Sequence, residues 1–337
     1  MKIGRSERSA GYPVVRLRRL RKTPAIRDLL QETHLSVKDL ISPIFVQEHL
    51  AKREVIQSMP GIERIPASEI IDEVQALSDL GIRGIILFGV PSHKDDKAQS
   101  AFSNDGIVQQ SVREVRKHFG NKVAIITDVC LCQYTTHGHC GIVVRGKVDN
   151  DVSLRTLTRV AASHAEAGAD MVAPSAMMDG QVKAIRERLD ANSFKDVAII
   201  AYSAKHASPL YSPFRDVACS QPRFGDRRTY QMSYNNPREA MHEIQMDIDE
   251  GADIIMIKPA LPYLDLIYHA KENTNLPICA YSVSGEYALI KAAADNGLID
   301  EDSVVTEFLT SIKRAGADLI ITYYAKKMAA LLNERMN

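Results

Sequence analysis

The sequence predicts an α/β protein closed as a (β/α)8 barrel of the TIM-barrel type, with an extended N-terminal arm. Eight short, almost wholly apolar runs alternate with segments of helical period, the pattern of parallel strands covered by helices. Three helix-to-strand turns repeat one motif, Ala167-Gly168-Ala169-Asp170, Glu250-Gly251-Ala252-Asp253 and Ala315-Gly316-Ala317-Asp318, each placing glycine where a helix ends. No Gly-x-Gly-x-x-Gly follows the first strand, so the competing open, doubly wound sheet loses its usual support. At 337 residues the chain is long enough for one such barrel.

Residues 1–36 form the arm. Arg16, Arg18, Arg19, Arg21, Lys22 and Arg27 make it basic, and Tyr12-Pro13 interrupts any continuous helix. Its apolar residues Val14, Val15, Leu17 and Leu20 need cover. This favours docking on another subunit over a nucleic-acid patch or a transit peptide, and Glu7, Asp28 and Glu32 count against the last.

Residues 37–337 are read as the barrel. The first strand is expected over 41–46, and a helix over 68–80 puts Ile70, Ile71, Val74, Leu77 and Leu80 on one face. Strand 84–88 precedes a helix at 106–119, and strand 123–127 precedes a long loop and a helix at 152–167. Strand 170–173 leads to a helix at 179–189, and strand 197–202 to a lid over about 206–236 and a helix at 237–250. Strands 253–257, 277–280 and 318–322 complete the set, with one extra helix at 303–313 before the last.

Lysine plus arginine equals aspartate plus glutamate at 42 each, so net charge supplies no case for a nucleic-acid partner. No apolar run reaches the roughly 18 residues of a membrane span, and no secretory signal is read at the start. Five cysteines, three of them crowded together, suit a reducing compartment and a metal better than a disulfide framework, so cytoplasm is expected.

In such barrels chemistry sits at the C-terminal ends of the strands. Those ends carry Asp128, Lys205, Lys258, Ser284 and Tyr323. Lys258 terminates the apolar run Ile254-Ile255-Met256-Ile257 and is stopped by Pro259, an unusual place for lysine unless it is paired or reactive. Two lysines in one mouth depress each other's pKa, and a neutral amine attacks a ketone or aldehyde to form a Schiff base. The pair alone equally allows one lysine to anchor an anion while the other reacts.

The loop from Asp128 to Gly141 holds the densest ligand cluster. Cys130 and Cys132 face the same way in extended backbone, and Cys140 can fold back to meet them, a donor set that favours zinc. Either His137 or His139 closes a structural site, or the fourth position stays open for catalysis. The lid carries Arg215, Arg223, Arg227 and Arg228, which suggests a substrate bearing carboxylate or phosphate. Glu243, Asp247 and Glu250 recur near helical spacing, as on a solvated face.

These motifs, with Arg18-Arg19-Leu20-Arg21, Met59-Pro60-Gly61, Tyr202-Ser203-Ala204-Lys205, Pro213-Phe214-Arg215-Asp216, Tyr230-Gln231-Met232, Met256-Ile257-Lys258-Pro259, Val283-Ser284-Gly285-Glu286-Tyr287 and Arg314-Ala315-Gly316-Ala317-Asp318, run nearly end to end. The chain resembles the porphobilinogen synthase (5-aminolevulinate dehydratase) family, of the zinc-dependent type. The resemblance implies condensation of two 5-aminolevulinate molecules to porphobilinogen with loss of two waters. It implies that Lys258 holds the first substrate and Lys205 the second as Schiff bases. Ser284 and Tyr323 would grip the first carboxylate, and Arg215, Arg227 and Gln231 the second. It implies Zn2+ on Cys130, Cys132 and Cys140 with water as fourth ligand, proton transfer assisted by Asp128, an allosteric Mg2+ on Glu243, and a homo-octamer in which the arm embraces a neighbour.

His206 stands where the family usually has an aromatic ring, and Ser233-Tyr234-Asn235-Asn236 departs from its pattern, which leaves the lid hinge open. A class I aldolase would share the barrel and a Schiff-base lysine, but explains neither the second lysine nor the cysteine loop. A zinc-clipped barrel that binds a carboxylate metabolite or a partner without turnover is the non-enzymatic alternative.

Overall fold

Eight parallel strands close on themselves: β1 Leu40–Gln47, β2 Gly84–Val90, β3 Ala124–Val129, β4 Met171–Pro174, β5 Ala198–Lys205, β6 Ile254–Lys258, β7 Ile278–Ser282 and β8 Leu319–Thr322. The seam is β8 against β1, with Leu40 opposite Ile320 and Ile41 opposite Ile321. This computed structural model describes residues 11–334. The strands are buried along almost their whole length, as β-branched runs covered on both faces must be. Phe45 and Phe88 stack at 5.3 Å between centroids near the strand ends.

The helices are α1 Ile70–Asp79, α2 Ile107–Phe119, α3 Asn150–Ala167, α4 Gln181–Ala191, α5 Pro237–Asp249, α6 Leu264–Asn273, α7 Ser284–Asp295, α8 Glu301–Ala315 and α9 Ala325–Glu334. Three of these, α6, α7 and α9, are not legible from the sequence pattern. Pro262 and Tyr263 obscure the start of α6, and Ser284-Gly285 imitates a turn at the head of α7. The lid, in which no helical period is legible, contains a 3-10 turn, Pro209–Tyr211, and a short helix, Ser212–Val217. Pro209 and Pro213 lie in first turns, where a missing N–H costs nothing, so they start these segments rather than break them.

The repeated Gly-Ala-Asp turn acquires a second purpose. Gly168, Gly251 and Gly316 take φ of 106°, 98° and 125°, which reverse the chain after each helix. The aspartate two residues on then accepts a backbone N–H from the base of the preceding strand. Asp170 accepts from Ile125 at 2.7 Å, Asp253 from Ile199 at 2.8 Å and Asp318 from Ile278 at 2.9 Å. Three identical turns thus tie three neighbouring strand pairs at the end opposite the mouth.

The chain divides after His34 into two compact units. The first holds a 3-10 turn, Leu17–Arg21, and a short helix, Pro24–Leu29, capped by Thr23, whose hydroxyl accepts the Ile26 N–H at 3.3 Å. Val14, Val15, Leu17, Leu20, Leu29 and Leu30 are exposed. Glu7, cited above for the arm, lies outside the described residues. No helix among the described residues is long and apolar enough to cross a membrane.

Candidate active site

Lys205 and Lys258 are each the last residue of a strand, and the β5–β6 register sets them directly opposite one another. Both are buried, Lys258 at 5 % exposure. The Lys258 Nζ lies over the rings of Tyr281 at 4.0 Å, Tyr202 and Phe214 at 5.1 Å and Tyr211 at 5.4 Å. Those faces attract a cation. Burial, and then the neighbouring Lys205, act against the charge and hold the Lys258 pKa at about 7. A large fraction of neutral amine therefore exists near neutrality, which imine chemistry requires. Lys205 donates to the Ser175 carbonyl.

Asp128, at the end of β3, is buried. Burial raises its pKa, while Lys205, Ser175, Lys258 and Gln133 oppose the rise. Gln133 Nε2 donates to its Oδ2 at 3.3 Å, and its Oδ1 has no partner among the described residues. Asp128 thus feels both lysines and keeps a free oxygen.

The three cysteines meet as the spacing required. Cys130, Cys132 and Cys140 are buried with their sulfurs within 4.8 Å of one another, Cys130 and Cys132 at 3.4 Å. Hydrogen bonds from Cys130 and Cys132, with Arg227 and Lys205 nearby, hold the Cys140 thiol well below its ordinary pKa. Its neighbours and burial push Cys130 well above its own. One thiolate among three crowded thiols is what a buried site supports without a cation, and a soft divalent ion would accept all three. The residues fit such an ion. His139 is not a fourth ligand: its Nε2 faces the Phe224 carbonyl at 3.0 Å and must donate, so its Nδ1 accepts from the Tyr230 hydroxyl at 2.9 Å. His137 spends Nδ1 on the His139 N–H at 3.1 Å, and neither histidine joins the cysteine group.

The lid arginines separate. Arg223 and Arg228 remain toward solvent, whereas Arg227 is buried and donates to Gly138 O at 2.9 Å and Ser220 O at 2.5 Å. Burial disfavours its charge, and the Cys140 and Cys132 sulfurs more than restore it. Burial and Arg227 lower Arg215. Gln231 is 2 % exposed. Arg215 Nε, Arg227 Nε and both amide atoms of Gln231 have no partner among the described residues, so two guanidinium donors and an amide remain available to a ligand. A cavity of about 460 Å³ lined by Lys94, Thr136, Gly138, Arg215, Cys219 and Arg223 leads along the lid.

Ser284 and Tyr323 are buried at the mouth. The Ser284 hydroxyl accepts the Phe214 N–H at 3.0 Å and donates to Leu210 O at 3.2 Å, tying the short lid helix to α7. The Tyr323 and Tyr281 hydroxyls are 3.1 Å apart. Glu243 lies on α5 outside the barrel, where burial and the carboxylates of Asp179 and Glu250 raise its pKa. The solvated face read from Glu243, Asp247 and Glu250 is corrected by Asp247, which is buried against Ser203 and raised to about 7, chiefly by that burial. His206 stacks on Tyr263 at 4.0 Å and 14° between planes, as an aromatic ring would.

The aromatic cage of Lys258 is the functional feature that sequence reading missed. Its signal was available in part, since Tyr202 and Phe214 stand three and one residues before Lys205 and Arg215. Tyr211 and Tyr281 required the fold.

The family model for delta-aminolevulinic acid dehydratase matches residues 14–331. The delta-aminolevulinic acid dehydratase of Archaeoglobus fulgidus is 54% identical over 323 residues, covering 96% of this chain and 99% of the relative. That of a Synechocystis strain is 51% identical over 327 residues, covering 96% and 100%. The solved structure of delta-aminolevulinic acid dehydratase (porphobilinogen synthase) from Toxoplasma gondii, in complex with the reaction product porphobilinogen, superposes with a TM-score of 0.93 at 43% identity, covering 95% of this chain and 92% of that one.

Proposed function

The chain belongs to the delta-aminolevulinic acid dehydratase family, and from that premise we propose how its residues divide the work. The protein is a lyase of tetrapyrrole biosynthesis that condenses two molecules of 5-aminolevulinate to porphobilinogen with release of two waters. Lys258 holds the first molecule and Lys205 the second. The observation that carries this is the pairing of the two lysines in register at the ends of β5 and β6, with Lys258 brought to about pH 7.

In each case the neutral amine adds to the substrate ketone, and its two protons leave with the ketone oxygen as water, giving an imine. Asp128, close enough to feel both lysines and with Oδ1 free, carries protons to and from the oxygen being expelled. Arg215, Arg227 and Gln231 take the carboxylate of the second molecule, which supplies the partners their buried polar atoms lack. Ser284 and Tyr323 take that of the first, Ser284 by exchanging its lid bonds for the carboxylate. Cys130, Cys132 and Cys140 would hold Zn2+, which when bound supplies a Lewis acid for a substrate oxygen.

Glu243 would hold Mg2+, a charge that offsets the crowding of Asp179 and Glu250. The arm, with its exposed apolar residues, covers a second copy in a homo-octamer. Five free cysteines suit the cytoplasm.

Incubation with 5-aminolevulinate followed by borohydride and peptide mass spectrometry tests the assignment. Wild-type protein should form a pyrrole and carry label on Lys258. A Lys258→Met protein should form no pyrrole. Pyrrole formation by that variant, or label confined to Lys205 in the wild type, would overturn the division of roles.

A further inference from the structure

Glu286 is the second residue after Ser284, in the first turn of α7, and is 3 % exposed. No lysine or arginine donates a hydrogen bond to its carboxylate among the described residues, and Lys258 acts on it only as a nearby charge, after burial and the backbone donors. Backbone alone satisfies it. One oxygen accepts the Val283 N–H, the other accepts the Leu261 N–H at 2.6 Å, and the Ala260 N–H is directed at the same group. Val283 has no side-chain acceptor to return the bond, so the arrangement is not a reciprocal helix cap.

Its partners lie on two different loops. Ala260 and Leu261 follow Lys258 by two and three residues, where the chain leaves β6, whereas Val283 immediately precedes Ser284, where the chain leaves β7. A single carboxylate therefore bridges the loop after the reactive amine and the loop before the hydroxyl. The lid touches the same two points, with the Tyr211 hydroxyl, from the 3-10 turn, donating to Lys258 O at 3.1 Å and the Phe214 N–H, from the short helix, donating to Ser284 Oγ at 3.0 Å. Burying a carboxylate without a cation is costly, and backbone donors compensate it only where they converge. The convergence fastens the loop that follows Lys258 to the loop that precedes Ser284.

We propose that Glu286 is a positioning residue that sets the distance between the imine-forming nitrogen of Lys258 and the Ser284 hydroxyl, and so matches the site to the spacing between ketone and carboxylate in 5-aminolevulinate. The inference rests on the reading that Lys258 and Ser284 hold the same substrate molecule. Glu286 touches no substrate and acts through the two loops.

Borohydride trapping with graded 5-aminolevulinate, read separately at Lys258 and Lys205, tests it. In Glu286→Gln one acceptor becomes a donor facing a backbone N–H, and the concentration that half-labels Lys258 should rise at least about ten-fold, while that for Lys205 stays within about two-fold. Glu301→Gln serves as the comparison for a merely structural loss, because Glu301 bridges Lys291 and Lys327 and accepts from the Tyr324 hydroxyl at 3.1 Å, bonds that involve neither the loop after Lys258 nor the one before Ser284. It should lower the melting temperature without separating the two lysines. Should Glu286→Gln not fold, Glu286→Asp keeps the charge but withdraws it by one methylene, and the same selective shift is expected. Labelling of Lys258 at the wild-type concentration, or equal loss at both lysines in step with melting temperature, overturns the inference. Wild-type protein labelled at Lys205 alone overturns the underlying reading instead, and the two failures are told apart by the wild-type control.

Discussion

Lys258 illustrates how far a side chain's chemistry is set by its surroundings. Free lysine is charged near neutrality, and four ring faces within 5.4 Å reinforce that charge. Burial and Lys205 outweigh them and leave the amine at about 7. The sign of the pH dependence follows. Below pH 7 the folded enzyme holds Lys258 protonated and unable to attack, and above it the neutral amine predominates. The logarithm of kcat/KM should rise with unit slope from acid and bend near pH 7. Lys205→Met removes one repelling charge while burial persists, so in single-site trapping of Lys258 the bend should move upward. A bend unmoved by that substitution would mean that burial alone lowers the pKa. At this scale the lysines and cysteines were legible in the sequence, because each stands out against an apolar strand or a glycine-flanked loop. By residue pattern alone Arg227 was not separable from Arg223 and Arg228, since nothing local distinguishes a guanidinium that will be buried from one that will be solvated; only the family resemblance singled it out.

Among the elements, the Gly-Ala-Asp turn does two things in three residues: it ends a helix with a left-handed glycine and fastens the preceding strand through the aspartate. Asp253 shows the second function without a salt bridge among the described residues, unlike Asp170, paired with Arg116 at 2.6 Å, and Asp318, paired with Lys271 at 2.9 Å. Asp253→Ala leaves the Ile199 N–H at the strand base without its acceptor, a loss of about 1–2 kcal/mol. Chemical denaturation should report that loss as a lower midpoint at unchanged slope, and borohydride trapping should be unaltered, because the turn lies at the end of the barrel opposite Lys258. The glycines were readable as helix stops from sequence. Their aspartates were not readable as strand ties, because the partner N–H lies 40 to 54 residues away. The lid helix escaped for a different reason: prolines that signal interruption in a linear reading are, in the first turn, compatible with a helix.

For the whole molecule, the barrel separates stability from chemistry, with strand ties at one end and lysines, thiols and lid at the other. Metal removal should exploit that separation. The cysteine loop hangs from the mouth beyond β3, so chelation of the purified enzyme is expected to abolish pyrrole formation while a single cooperative melt persists. Loss of the cooperative melt would instead assign the three thiols a structural clip. The arm makes an independent expectation. Its apolar residues are exposed, and a protein beginning after residue 36 should scatter light as a smaller assembly than the full chain, whereas an unchanged size would remove the arm from oligomer contacts.

The sequence by itself determined the alternation of strands and helices, the strand ends at Lys205 and Lys258, the three-cysteine donor set and the anionic character of the substrate. These rest on periodicity, residue type and short spacing, which act within a few residues of chain. Only the tertiary structure decided that four rings from separate segments surround one amine, that His139 is committed to Tyr230 and Phe224, that Arg227 lies inside, and that Glu286 joins two loops. Each of these is a meeting of residues far apart in the chain, and such meetings exist only once the strands and the lid have been brought together in the fold.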